Sequence, residues 1–368
     1  MSALTDGLGS LHPGAQLFAM LDGEVVVDLA IGDSRLDLHT PMSGETLTLF
    51  LSAGKPLTAA AIALLHDQGL LSFEDAVAKH IPEFGVNGKE QITIRHLLTH
   101  TAGIRALDTQ YPFLTWQETL GRIYNMKPER DWVAGEKAGY HQHTSWYVLG
   151  EIINRVAGVS FDRWIYARIL LPLGMSDVHF SLTAEEYDSY EKARRLGYLY
   201  DTAPKPNAQE FSAPRPIPNY DTVLGASRPR PSASARGPIK QLALFYEMLR
   251  NGGRTKAGEQ LLWPETVTLM TTRQRVGMFD QTFRQTIDWS LGLILNSSQY
   301  GPAIPYQFGP HASASTYGHG GSQSSTGFCD PERKLVVGLL FNGTPGEPAH
   351  DKRLRATLKA LYEDLHFA

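Results

Sequence analysis

Cysteine is nearly absent from this sequence, in which Cys329 is the single copy among 368 residues. One thiol excludes an internal disulfide framework, which fits a reducing compartment. The sequence also lacks any run of about 18 apolar residues, so no transmembrane helix is expected. Residues 1–10 lack the basic and apolar stretches of a secretion signal. The expected location is therefore the cytoplasm.

An excess of charge of either sign is missing as well. The chain has 34 lysines and arginines against 38 aspartates and glutamates, a formal net charge of -4. This balance excludes a strongly basic nucleic-acid-binding protein, and neither a nucleic acid nor a membrane is expected as a partner. Hydrophobic residues at 42% and charged residues at 20% are typical of a globular chain with a large core.

Strand patterns lie at the two ends of the chain. Gln16–Met20 and Glu24–Ala30 flank Asp22-Gly23, a dipeptide typical of hairpin turns. Three further strands are predicted near the C-terminus, the last two joined by a turn over Asp330–Lys334: Trp289–Leu295, Ser325–Cys329 and Leu335–Phe341.

Helix patterns fill the middle of the chain and its last residues. Ser72, Thr93 and Thr115 are the candidate N-caps, the last within the capping box Thr115–Glu118. The predicted helices are Leu57–His66, Phe73–Val77, Ile94–Thr99, one that follows Thr115, Ser145–Val156, Phe161–Leu171, Ile239–Leu249 and Arg353–Leu365.

This distribution predicts an α/β (α+β) fold in which one antiparallel sheet, flanked by helices, is built from both chain ends. Residues 1–64 and 285–368 are assigned to the sheet domain, and residues 65–284 to a mostly helical inserted domain. The Pro/Ser/Ala-rich stretch 202–238 has few helix-forming runs and is too long for an idle connection. It is interpreted either as mobile or as part of a substrate wall.

The tetrapeptide Ser52-Ala53-Gly54-Lys55 is a candidate for nucleophilic chemistry. A serine attacks a carbonyl only if a base removes its proton, and a lysine three residues later on a helix lies on the same face. Burial of that lysine would lower its pKa and make it a base. A second match, Ser189–Lys192, lies in a charged stretch and is interpreted as a solvated helix face.

The surrounding sequence resembles the penicillin-recognising serine hydrolases, which include class C β-lactamases, D,D-peptidases and family VIII carboxylesterases, the last being closest in pattern. The matching segments follow one another in the family's order: Ser52–Pro56, Leu71–Phe84, Ile94–Gly103, Leu171–Met175 and Asn251–Gly253. The resemblance implies a β-lactamase-like fold with the active site in the cleft between the two domains.

The family's second motif matches the segment that contains Tyr140. The resemblance implies that Tyr140 relays a proton between Ser52, Lys55 and the leaving group. The position where the family usually has asparagine falls on either Gln142 or His143, because the segment is one residue longer than the common form. Both remain candidates for substrate contact.

The third motif matches Tyr317–Ser322. The resemblance implies that the backbone N–H groups of Ser52 and Ser322 form an oxyanion hole, while Gly320 and Gly321 allow the substrate to approach the backbone. His319 stands where β-lactamases commonly have lysine. A mostly neutral histidine beside Tyr140 suits uncharged esters better than a permanent cation would.

The sequence as a whole therefore predicts a serine hydrolase that acts through an acyl-enzyme. A carboxylesterase on short or medium acyl esters, with transesterase activity if an alcohol replaces water, is the preferred hypothesis. The alternatives are a β-lactamase or D-amino-acid peptidase, and a silent binding or sensing module. No cofactor is expected. No metal is expected either, because His96 and His100 have the spacing of a zinc-binding motif but the sequence lacks the glutamate of that motif.

Overall fold

The elements of secondary structure are taken from a computed structural model, which describes residues 2–204, 214–301 and 308–367. Its strands are β1 Gly14–Leu21, β2 Glu24–Arg35, β3 Thr40–Pro41, β4 Thr48–Leu49, β5 Tyr200–Asp201, β6 Arg215–Pro216, β7 Arg236–Gly237, β8 Phe279–Asp280, β9 Gln285–Thr286, β10 Ile294–Leu295, β11 Tyr317–Gly320, β12 Ser325–Asp330, β13 Leu335–Phe341 and β14 Gly343–Thr344.

The helices of the same ranges are α1 Ser2–Thr5, α2 Lys55–Asp67, α3 Val77–His80, α4 Ile94–Leu98, α5 Trp116–Asn125, α6 Thr144–Ala157, α7 Phe161–Ile165, α8 Ala184–Lys192, α9 Val223–Ser227, α10 Ile239–Arg250, α11 Pro264–Thr271 and α12 Glu347–Asp364. Single 3₁₀ turns cover Leu51–Gly54, Pro82–Phe84 and Ser298–Tyr300, and a π turn covers Tyr166–Leu170. Within the described ranges, none of these helices combines the length and the apolar character needed to span a bilayer.

A central sheet joins the two ends of the chain. In the described residues its order is β10-β11-β12-β13-β1-β2-β3, and every neighbouring pair is antiparallel. The N-terminal strand β1 pairs with the late strand β13, with Ala15 opposite Phe341. This pairing confirms the predicted fold class. The domain boundaries at residues 64 and 284 stay a prediction.

The turn between β1 and β2 follows the predicted hairpin chemistry. Asp22 and Gly23 have φ values of 49° and 89°. Two successive positive φ values are those of a type I′ turn, whose twist matches that of antiparallel strands. The Asp-Gly dipeptide therefore determines the register of the first hairpin.

Helices cover both faces of the sheet. Leu17 of β1 packs on one face with Leu358 of α12, whereas the next residue, Phe18, belongs to the larger core on the opposite face. Such alternation along one strand is the period of a pleated sheet. Helix α10 lies close against the second face, because a Cβ on Gly327 would come within 2.5 Å of the Tyr246 ring.

Most of the helices predicted from periodicity are confirmed within a few residues. Thr93 and Thr115 cap α4 and α5 as expected, each within a capping box. Lys192 is exposed on α8 and pairs with Asp188, so the second Ser-x-x-Lys copy does lie on a solvated helix face. The last helix begins earlier than predicted, at Glu347.

The strand predicted over Trp289–Leu295 is wrong for most of its length. Only Ile294–Leu295 are in a strand, and the chain bends before them at Gly292, which has a φ of 88°. A Cβ on Gly292 would come within 2.4 Å of Ala59 in α2, so the bend results from a close tertiary contact.

The helix predicted after Ser72 is also wrong. Ser72 caps a turn instead, since its N–H donates to the Asp75 carboxylate and its Oγ accepts from the N–H of Glu74. The first helical residue is Val77. Short polar side chains stabilise turns by the same hydrogen bonds that make them helix caps.

Candidate active site

Ser52 lies at the start of the buried helix α2, as the sequence predicts. The 3₁₀ turn Leu51–Gly54 leads directly into α2, whose second residue is Pro56. Leu51 has a φ of 50°, a conformation that costs about 1–2 kcal/mol for a residue with a Cβ. Ser52 follows this strained residue directly and lines a cavity.

Lys55 is the closest base to Ser52. Its Nζ lies 2.8 Å from Ser52 Oγ and donates to the backbone carbonyl of Ser232, also at 2.8 Å. The side chain is fully buried, with the Trp146 ring centroid 5.5 Å from Nζ. Burial, and secondarily the positive charge of Arg230, hold the pKa of Lys55 well below 10.5. A neutral amine in this position can accept the serine proton.

Tyr140 completes a triangle with these two residues. Its hydroxyl donates to Ser52 Oγ at 3.0 Å, and its ring centroid lies 5.3 Å from Lys55 Nζ. Two segments that are distant in sequence, one with Ser52 and Lys55 and the other with Tyr140, therefore meet at one oxygen atom. The arrangement provides a nucleophile, a base and a proton donor within hydrogen-bonding distance of one another.

A buried ion pair, which sequence reasoning missed, holds Tyr140 in place. Asp280 accepts hydrogen bonds from the backbone N–H groups of Tyr140, Thr282 and Phe283 at 2.9–3.0 Å. Its other oxygen lies 3.1 Å from Arg275, and both side chains are at most 1% exposed. Burial lowers the pKa of Arg275 to about 10. Among the described residues, Arg275 is the cation that forms a salt bridge with this carboxylate.

We expect Asp280→Asn to lower the free energy of unfolding by about 3 kcal/mol, because it leaves the Arg275 charge buried without its counterion. Urea denaturation measures this loss. Asp188→Asn is the matched control, since it breaks an exposed ion pair on α8 and should leave the stability nearly unchanged. Equal stability of the two variants would contradict a structural role for Asp280.

The residues of the third motif are divided between the cavity and the interior. Ser322 lines the cavity, whereas His319, Gly320 and Gly321 are buried and are not among the lining residues. A side chain at Gly321 is excluded, because its Cβ would come within 2.3 Å of the Phe50 carbonyl. The turn between β11 and β12, which carries Ser322, thus lies directly against the segment that carries Ser52.

His319 is neutral in this environment. Burial, and secondarily Lys55, lower its pKa to about 3. Its Nδ1 lies 2.8 Å from the carbonyl of Gly320, so Nδ1 carries the hydrogen, and Nε2 has no partner among the described residues. The His319 and Tyr140 ring centroids are 6.1 Å apart. His319 therefore lies beside Tyr140 as expected, but it is not among the residues that line the cavity.

Both candidates in the second motif line the cavity. Gln142 is exposed, and His143 hydrogen-bonds through Nδ1 to Ser232 Oγ at 2.9 Å. Burial, and then the charges of Arg230 and Lys55, hold the pKa of His143 well below 6.5. His143 is therefore a neutral residue that contacts the same serine whose carbonyl accepts from Lys55.

The cavity itself has a volume of about 470 Å³, within the usual range for small-molecule sites. Part of its lining is apolar and consists of Leu51, Leu199, Ile217, Tyr220, Ala233 and Phe283. Three of these residues belong to the Pro/Ser/Ala-rich stretch, which favours the substrate-wall interpretation of its described part. Residues 205–213 of that stretch lie outside the described residues.

Ser232 and Arg230 are the functional neighbours that sequence reasoning missed in this stretch. Arg230 is 5% exposed and donates to Tyr220 at 3.0 Å and to Thr109 at 3.1 Å. Neither residue belongs to a catalytic motif, and their residue types give no signal within a Pro/Ser-rich stretch. Only the tertiary structure places Ser232 against Lys55 and Arg230 against Tyr220.

The two histidines with zinc-like spacing have structural roles. His96 Nδ1 accepts from the N–H of Thr93 in the capping box of α4. His100 Nδ1 accepts from the N–H of His141, the residue after Tyr140. Within the described ranges, no group of three potential metal ligands is arranged to hold an ion.

The antiparallel sheet, its helical layers and the Ser52–Lys55–Tyr140 triangle define a serine hydrolase with a β-lactamase-like fold. The chain belongs to the Beta-lactamase family, whose model matches residues 5–362. The resemblance inferred from the sequence motifs is thereby confirmed.

Individual relatives of the chain include esterases and penicillin-binding proteins. It is 26% identical over 352 residues to the esterase/beta-lactamase LipL of Mycobacterium tuberculosis, an alignment that covers 91% of this chain and 78% of LipL. A penicillin-binding protein homologue from Caulobacter crescentus has a TM-score of 0.77 at 27% identity, over 98% of this chain and 95% of that one. A family VIII carboxylesterase has a TM-score of 0.75 at 26% identity, over 96% and 95%.

Proposed function

We propose that this serine hydrolase is a carboxylesterase on short or medium acyl esters. The observation that carries the proposal is the electrostatic character of the cavity: His319 is neutral, and no lysine or arginine lines the cavity in the described part of the chain. A cation in the cavity would complement the carboxylate of a β-lactam or a peptide C-terminus. An ester needs only an apolar wall and the reactive triangle.

In the first half of the proposed reaction, Ser52 Oγ forms a bond to the ester carbonyl carbon while its proton moves to Lys55. The backbone N–H groups of Ser52 and Ser322 stabilise the resulting oxyanion. The intermediate collapses when the bond to the alkoxy group breaks. Tyr140 then donates its proton to the leaving oxygen and is reprotonated by Lys55.

The second half repeats these steps with water as the nucleophile. Lys55 and Tyr140 remove the water proton, water attacks the acyl carbon, and Ser52 leaves with its proton restored. An alcohol in place of water gives a transesterase. The side chains supply the nucleophile, the base and the proton donor, so the proposed chemistry requires no cofactor.

We expect kcat/KM for p-nitrophenyl butyrate to exceed that for nitrocefin by at least about 100-fold, because the carboxylate of nitrocefin would enter the cavity without a cation. Parallel spectrophotometric assays of the two compounds test this. A preference for nitrocefin would favour a β-lactamase or D-amino-acid peptidase, consistent with the penicillin-binding relative. Acylation without turnover of either compound would favour a binding or sensing module.

A further inference from the structure

One carboxylate stands among the residues that line the described part of the cavity. Glu347, the first residue of α12, lines it together with Ser52 and Ser322. Glu347 is also exposed to solvent, so it lies where the cavity opens. No lysine or arginine of the described chain lines the cavity with it. The opening therefore carries a negative charge close to the reactive serine.

The charged neighbours of Glu347 do not neutralise it. Asp351, one turn further along α12, is bonded by Arg355. Arg353 turns into the interior, where it donates to backbone carbonyls and burial lowers its pKa to about 9. His350 is buried and neutral, with a pKa of about 3. None of the ion pairs found among the described residues includes Glu347, and its carboxylate accepts no hydrogen bond from them.

The environment of Glu347 favours an interaction with a positive charge. Partial burial of the carboxyl group, and then the Asp351 carboxylate, raise the pKa of Glu347 above its usual value. A cationic group placed nearby would favour the ionised form and lower that pKa again. Glu347 also stabilises the N-terminus of α12 through the helix dipole, but that role is independent of the charge of the substrate.

Building on the esterase function proposed above, we propose that Glu347 sets the charge preference of the cavity. Esters that carry a cationic group near the cavity opening are preferred to uncharged ones, and esters that carry a carboxylate there are disfavoured. At about 7 Å and an effective dielectric constant of about 40, one such interaction changes kcat/KM by about five- to tenfold.

The test uses matched esters that differ only in charge. Each set contains a trimethylammonium, a tert-butyl and a carboxylate compound. One set carries the group at the end of the acyl chain and the other carries it on the alcohol. In at least one set, wild-type kcat/KM should fall in that order by about five- to tenfold per step, and Glu347→Gln should reduce the differences to about twofold.

Glu24→Gln is the matched control, because it removes one negative charge from the exposed start of β2 and should leave the order unchanged. Equal wild-type rates within both sets would overturn the proposal, as would a charge preference that persists in Glu347→Gln. If the tert-butyl esters are not hydrolysed, the esterase function fails instead. Calorimetric Kd values for the same compounds then decide whether the charge preference exists. Wild-type Kd values that depend on the charge of the compound, and that become equal in Glu347→Gln, support the preference. Equal wild-type Kd values overturn it.

Discussion

Ser52→Ala should lower kcat for a short-chain p-nitrophenyl ester by at least about 10⁴-fold, because the variant loses the atom that forms the acyl-enzyme. Ser52 Oγ is the single point at which the Lys55 amine and the Tyr140 hydroxyl converge, at 2.8 and 3.0 Å. Initial rates measured at saturating ester give the loss. Circular dichroism and thermal unfolding verify that the variant remains folded.

The matched control is Ser189→Ala, which alters the serine of the second Ser-x-x-Lys copy on the exposed face of α8. Its kcat should stay within about twofold of wild type, since the serine lies on a solvated helix face. A fluorophosphonate should label wild-type protein at Ser52 and fail to label Ser52→Ala. Wild-type turnover by Ser52→Ala, or labelling at a different serine, would refute the nucleophile.

Two members of the reactive triangle are predictable from sequence because they belong to one local pattern. Ser52 and Lys55 are three residues apart at the start of an apolar helix, so their proximity follows from helix geometry. Tyr140 cannot be placed in this way. Its assignment depends on the family resemblance, since 88 residues separate it from Ser52.

The residues that support the reactive triangle could not be predicted from the sequence, and the reason is physical. Ser232 acts through its backbone carbonyl, which every residue type possesses, and it is 177 residues away from Lys55. Asp280 is 140 residues from Tyr140 and acts by accepting backbone N–H groups. Such roles depend on where the chain passes in three dimensions. Local periodicity and motif spacing contain no information about them.

The same dependence on tertiary contacts explains the errors in the predicted secondary structure. Trp289–Leu295 has the apolar composition of a buried strand, and composition alone does not reveal that α2 passes against Gly292. Periodicity succeeds where one face of an element meets a uniform surface, as in α10. It fails where a single contact decides the backbone conformation.

Lys55→Ala should lower kcat by about 10³- to 10⁴-fold, the usual contribution of a positioned general base. Lys192→Ala is the matched control and should stay within about twofold of wild type, because Lys192 is 76% exposed and pairs with a neighbouring aspartate on α8. The measurement is kcat for the same ester under saturating conditions. Equal losses in the two variants would mean that the base has been assigned to the wrong Ser-x-x-Lys copy.

The pH dependence distinguishes a base from a structural lysine. A protonated amine cannot accept the serine proton, so the wild-type rate falls as the pH drops through the pKa of Lys55. Burial places that pKa well below 10.5, and the acid limb of kcat/KM should therefore also lie well below pH 10.5. A limb near pH 10.5 would contradict the neutral amine.

Lys55→Arg separates the two electrostatic roles that a buried lysine can have. A guanidinium keeps the positive charge and the hydrogen bond to the Ser232 carbonyl, but it remains protonated at every pH at which the protein is folded. If Lys55 acts as a base, the arginine variant should lose as much activity as Lys55→Ala. If it acts only as a fixed cation beside the oxyanion, arginine should restore most of the rate, and the assignment of Lys55 as the base would be wrong.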